Sequence, residues 1–184
     1  MLLQSPLSAD PDLHAGIASR LDDLVELARE ELGDALGSVL LGGSLARGEA
    51  FGVRDRGELR LLSDLDLYFV SDADGTALLR RVNEYAERDD FLVVRPDAAV
   101  VPAAFFTGAP DAMPTHQLAH AHLVLWGDAV EITRAEDAAG VAVVDANDAA
   151  ALLFNRFVES LDPSLGDDLP RLMHRTKEFI DAPM

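Results

Sequence analysis

The chain has 184 residues, enough for one domain with a real core, and 49% of them are hydrophobic. Thirty-three acidic residues against 15 basic ones give a formal charge of −18, a field that repels nucleic acid and counts against an RNA- or DNA-binding role. The absence of cysteine excludes disulfides and thiolate metal sites, no apolar run is long enough to span a bilayer, and MLLQSPLSADPDLH lacks the layout of a signal peptide, so a cytoplasmic protein with no membrane partner is expected.

From about Asp10 to Leu32 the apolar residues Leu13, Ile17, Leu21, Leu24, Val25, Leu27 and Leu32 recur at helical spacing. Ser8 or Asp10 is placed to cap this helix and Gly33 to end it. Ser38-Val39-Leu40-Leu41 reads as a buried strand that stops abruptly at Gly42-Gly43, and a helix is expected from Leu45 to Ala50. Val53 to Leu61 is charged and irregular, which reads as a loop. Leu65 to Val70 alternates as a second strand, and Thr76 to Asp89 carries a helical stripe of Leu78, Leu79, Val82 and Tyr85. Phe91 to Val101 is β-rich but interrupted by Pro96, giving two short strands or one with a bulge. Ala121 to Trp126 is a further strand closed by Gly127-Asp128, whereas Ala149–Leu161 and Leu169–Ile180 read as helices. The predicted organisation is α+β: a mixed sheet flanked by helices over residues 1–135, then a helical segment over 136–184.

Two short blocks carry chemistry. In Gly42-Gly43-Ser44, a strand ending in two glycines and a serine lets a ligand approach the backbone amides, a layout that suits phosphate. In Ser63-Asp64-Leu65-Asp66-Leu67, residues two apart on a strand share a face, so Asp64 and Asp66 project together. Carboxylates that close repel unless a cation lies between them, and hard oxygen donors suit Mg²⁺. Either block alone is commonly just a turn or a solvated acidic pair. The conjunction of the two is more specific.

In that order, GGSLARGE followed by SDLDLY closely resembles the nucleotidyltransferase superfamily typified by DNA polymerase β, above all the small bacterial members that modify antibiotics or act as antitoxins. The match falls at Gly43, Ser44, Ala46, Arg47 and Gly48, and at Ser63, Asp64 and Asp66. It is specific over residues 37–70 and looser beyond. The resemblance implies that Gly43 and Ser44 contact a nucleoside triphosphate and that Asp64 and Asp66 hold two Mg²⁺ ions. It also implies a third carboxylate on a later apolar strand, for which Asp97, in RPDAAVVP, is the best match; as a residue after Pro96 it also reads as a turn residue. Arg47 and Lys177 are candidates for the triphosphate, with Asn155 and Arg156 beside them, although Arg47 is equally placed to pair with Glu49. One departure is the long segment between Ser44 and Asp64, with Phe51 to Leu62 as the apparent insertion.

The implied reaction is Mg²⁺-dependent transfer of a nucleoside monophosphate, AMP from ATP above all, to a hydroxyl of a small molecule or a protein, with release of pyrophosphate. The alternative on the same fold is an antitoxin-like protein that binds a partner with little or no catalysis. The chain ends soon after its last predicted helix, so a homodimer that completes the cleft is a further expectation. His116 and His120, four apart, and His122 suggest zinc, but no Glu follows His116 in the metalloprotease pattern and a strand begins at His122. Trp126 reads as a core residue or a stacking surface for a base.

Overall fold

The computed structural model describes residues 7–109, 118–119 and 121–134. The predicted C-terminal helices lie outside the described residues, as do Lys177, Asn155, Arg156, His116 and His120.

Helix α1 (Pro11–Leu32) opens at Asp10, whose side chain accepts from the amides of Asp12 and Leu13, and closes at Gly33, whose φ of 52° is accessible to glycine. Ser8 is not the cap; its hydroxyl accepts from the Asp10 amide and so steadies the capping residue. Of the predicted stripe, Leu13, Ile17, Leu21, Leu24 and Val25 are buried, with Ala28 beside them, whereas Leu27 and Leu32 are half-buried.

Strand β1 (Ser38–Leu41) is buried on every residue. It is followed by α2 (Gly43–Ala46), a single turn. The helix expected to run to Ala50 stops early because Gly48 turns to φ 76° and the Glu49 amide donates back to the Ser44 carbonyl at 2.9 Å. Where a loop was expected, the chain forms a hairpin of β2 (Gly52–Asp55) and β3 (Glu58–Leu61), paired antiparallel. Its two-residue turn, Arg56-Gly57, has positive φ at both positions (52° and 89°), the geometry that matches strand twist. This hairpin leans on α1: a side chain at Gly52 would strike Leu13 and the Arg60 carbonyl.

Next come β4 (Asp66–Val70), α3 (Thr76–Ala86) and β5 (Asp97–Val101). The interrupted Phe91–Val101 segment resolves into a single bridge, Leu92 with Leu61, and then β5 directly after Pro96. A short strand β6 (Thr107–Ala109), β7 (Leu123–Gly127) and β8 (Thr133–Arg134) complete the described elements. The parallel β6–β8 pair was not expected from the sequence.

The main sheet is mixed, in the order β5-β4-β1-β7. Strand β1 pairs antiparallel with β4 and with β7, while β4 and β5 run parallel, joined through α3. On one face Val39, Leu41, Leu67, Phe69 and Leu125 meet α1 and the Leu78–Val82–Ala86 stripe of α3. Each such buried Leu or Ile contributes about 1.5–3 kcal/mol relative to exposure. On the other face Leu40 and Val70 meet Phe106 and Leu118, with Tyr68 and Val101 partly buried beside them. Charged contacts tie α1 to α3 and to the loop after it: Arg81 to Glu30 and Glu31, Arg20 to Asp89, and Tyr85 to Asp23. No described helix is long and apolar enough to cross a membrane.

Candidate functional site

Strand direction gathers the two motifs at one end of the sheet. Strand β1 runs toward Gly42-Gly43, and β4, antiparallel to it, begins there with Asp66; the Gly42 amide donates to the Asp66 carbonyl at 2.8 Å. Strand β5, parallel to β4, starts at the same end, and its first residue lies directly opposite: Asp66 is in register with Asp97. Directly opposed residues on neighbouring strands share a face, with strands about 4.8 Å apart. The two carboxylates therefore stand side by side, on the face that also carries Tyr68, Val70 and Val101.

The site's floor is made by what is missing at Gly42 and Gly43. A Cβ on Gly42 would come within 2.9 Å of the Leu118 side chain and 3.5 Å of the Tyr68 ring. At Gly43, with φ 65°, a Cβ would fall 1.7 Å from Oδ2 of Asp66. The Asp66 carboxylate thus lies against the bare Cα of Gly43, so the Gly-Gly-Ser turn and the acidic strand are in direct contact. Ser44, half-buried, is the second residue of the single turn of α2. The first amides of any helix have no intrahelical carbonyl, but one turn carries little dipole, so only the local amides remain to draw an anion.

Asp64 sits just before β4, half-buried and outside regular pairing, two residues from Asp66. Its neighbour Ser63 has a structural task. The buried Ser63 hydroxyl accepts from the Phe51 amide at 2.9 Å, while the Phe51 carbonyl accepts from the amides of Leu62 and Ser63. These bonds fasten the end of the segment after the Gly-Gly-Ser turn to the chain entering β4. Asp97 is exposed. Its place at the head of β5, in register with Asp66, goes beyond the turn role that Pro96 suggests.

Tyr68 is a site residue that the sequence reading passed over, although it stands two positions after Asp66 and so on the same face. Burial first, then the charges of Asp66 and Asp97, push its phenol up to about 12. The Tyr68 ring meets Phe106 edge-on, with centroids 6.4 Å apart.

Other candidates fall elsewhere. Arg47, beside the turn, is held by Glu49 through Nε–Oε2 at 2.8 Å, with both side chains largely exposed. Trp126 pairs with Val39, at the end of β1 remote from Gly42, and takes the Arg29 guanidinium at 5.8 Å from its ring centroid. That position suits packing on α1 and not a base at the Gly43 turn. His122 uses Nδ1 to hydrogen-bond the Leu118 carbonyl at 2.8 Å. Since a carbonyl only accepts, that nitrogen carries the proton and is not a metal donor in this arrangement.

Among the described residues no group of three or more His, Asp or Glu side chains is gathered closely enough to hold a metal on protein donors alone. The donor set is nevertheless the kind Mg²⁺ takes, since that ion is usually bound by one or two carboxylates with substrate phosphates and water completing its shell. Opposed like charges across a strand pair are destabilising, and a cation between Asp66 and Asp97 reverses the sign of that interaction. No protein-family model matches this chain, and neither a curated protein nor a solved structure matches it.

Proposed function

We propose that this protein is a Mg²⁺-dependent nucleotidyltransferase of the polymerase-β-like type, moving a nucleoside monophosphate from a triphosphate to a hydroxyl with release of pyrophosphate. One observation carries the reading: Asp66 and Asp97 are opposed in register on one sheet face while Asp66 packs on Gly43. A phosphate turn packed on one of two opposed hard anionic donors suits a phosphate brought in with its cation.

In this reading Asp66 and Asp97 would hold the metal together with the substrate's phosphates, Asp64 would join them once substrate and cation draw the site together, and Gly43 and Ser44 would meet the β- and γ-phosphates with backbone amides and a hydroxyl. Mg²⁺ there supplies neutralisation of phosphate charge and a lowered pKa for the attacking hydroxyl. The protein's own part is positioning. The Gly43 contact fixes the Asp66 carboxylate, the β4–β5 register fixes Asp97 beside it, and exposed Asp97 is placed to take the proton of the acceptor hydroxyl. Arg47 would exchange its exposed Glu49 partner for the multiply charged triphosphate.

The test is calorimetric titration of the protein with ATP, GTP, CTP and UTP, with and without Mg²⁺, alongside Asp66→Asn and Asp97→Asn. Mg²⁺-dependent binding by the wild type that both variants lose by 100-fold or more supports the reading. Binding that ignores Mg²⁺, or that the variants keep, overturns it.

A further inference from the structure

Phe51 is the most exposed large apolar side chain among the described residues, at 63% of its full accessibility, whereas Phe69, Phe91 and Phe106 are buried. Its backbone, by contrast, is fastened on both sides. The amide donates to the Ser63 hydroxyl at 2.9 Å, and the carbonyl accepts from Leu62 at 2.9 Å and Ser63 at 3.2 Å. An exposed ring on a fixed backbone loses little entropy on binding, because only two side-chain torsions remain to be set.

Its place is equally specific. The Glu49–Ser44 hydrogen bond returns the chain to the phosphate turn two residues before Phe51, and Ser63 immediately precedes Asp64. With paired backbones about 5.5 Å apart and about 3.8 Å per residue along the chain, Phe51 lies within roughly 10 Å of Asp64 at the Cα atoms. Backbone hydrogen bonds thus tie its segment to the Gly43-Ser44 turn on one side and to the residue before Asp64 on the other, at the start of the hairpin that leans on α1.

We propose that Phe51 is the stacking platform for the nucleobase of the triphosphate. The assignment rests on the nucleotidyl-transfer reading, and it supplies a contact for the base, which phosphate turn and carboxylates leave untouched. A base offers a flat π-face, and stacking on an aromatic side chain tolerates any base, so Phe51 supplies affinity with modest selectivity for the larger purines. Its ring contributes to nucleotides and nothing to their phosphate chain.

That separation sets the experiment. Wild type, Phe51→Ala and Phe51→Tyr are titrated calorimetrically with Mg²⁺ plus ATP and, separately, with Mg²⁺ plus inorganic tripolyphosphate, which lacks a base. Phe51→Ala is expected to weaken ATP about 5- to 150-fold and to leave tripolyphosphate within about twofold, with Phe51→Tyr near wild type. The exposed position predicts unchanged thermal unfolding of all three. Equal losses for ATP and tripolyphosphate, or an unchanged ATP affinity in Phe51→Ala, overturn the stacking role while leaving nucleotidyl transfer intact. Wild type that binds neither ligand overturns both.

Discussion

Substituting Gly43 by alanine separates the cost to the fold from the cost to the site. The new methyl would sit 1.7 Å from Oδ2 and 2.8 Å from Cγ of Asp66, so the carboxylate must swing away. The backbone term is the ordinary one for a non-glycine residue at positive φ (here 65°), about 1–2 kcal/mol. Moving a short surface-facing carboxylate adds about 0.5–1.5 kcal/mol in an off-rotamer side chain. Stability therefore falls by about 1.5–3.5 kcal/mol, roughly 3–14 °C in Tm for a chain of this size. The site suffers more, because a misplacement of about 1 Å costs on the order of 100-fold in rate. Gly57→Ala is the control: its φ is 89° but nothing lies within 4 Å of the added Cβ, so it carries the backbone term alone. Thermal unfolding and Mg²⁺-dependent ATP titration of both variants make the assay. Gly43→Ala binding Mg²⁺-ATP as well as Gly57→Ala would refute the claim that the glycine exists to seat Asp66.

Three further predictions concern the scaffold. Ser63→Ala strands the Phe51 amide and is expected to cost about 1–3 kcal/mol, read as a lower Tm and faster hydrogen exchange at that amide. Leu21→Ala, on the fully buried stripe of α1, is expected to cost about 2–5 kcal/mol by denaturant unfolding. At Asp89, burial pushes the carboxyl up, but the Arg20 guanidinium, the Phe91 amide and the Tyr85 hydroxyl outweigh it and leave it below its ordinary value. A folded-state value below the unfolded one means that this stabilisation is complete above about pH 4 to 5 and is lost as pH falls through the lowered value. Asp89→Asn should thus be less stable at neutral pH by on the order of 1 kcal/mol, with the gap to wild type closing below pH 4. A gap that widens on acidification would contradict the assignment.

Local patterns in the sequence carry much of this fold. The α1 stripe, its cap at Asp10 and the run Ser38–Leu41 ending in glycines are each set by neighbours within a few residues, and they appear as read. The hairpin escaped because its turn uses Arg56 at φ 52°, where asparagine or aspartate is the usual signal. Its inward residues also alternate with charges that mimic a solvated loop. The pairing of β6 with β8 escaped because strands of two and three residues leave no period to detect. The Asp64–Asp66 spacing was visible because it is local. The opposition of Asp66 and Asp97 is a register between segments about 30 residues apart, which no spacing rule contains.

That register has a consequence for how the protein avoids misfolding. Slipping β5 by one residue against β4 would turn Asp97 toward the face where Ala98 and Val100 now meet the core, and take those apolar side chains out of their contacts there. A carboxylate driven among Leu67, Phe69 and the α3 stripe has no solvation to match what it loses. Asp97 is thus a lock on strand alignment: an acid at the head of β5 admits only the pairing that leaves it in water.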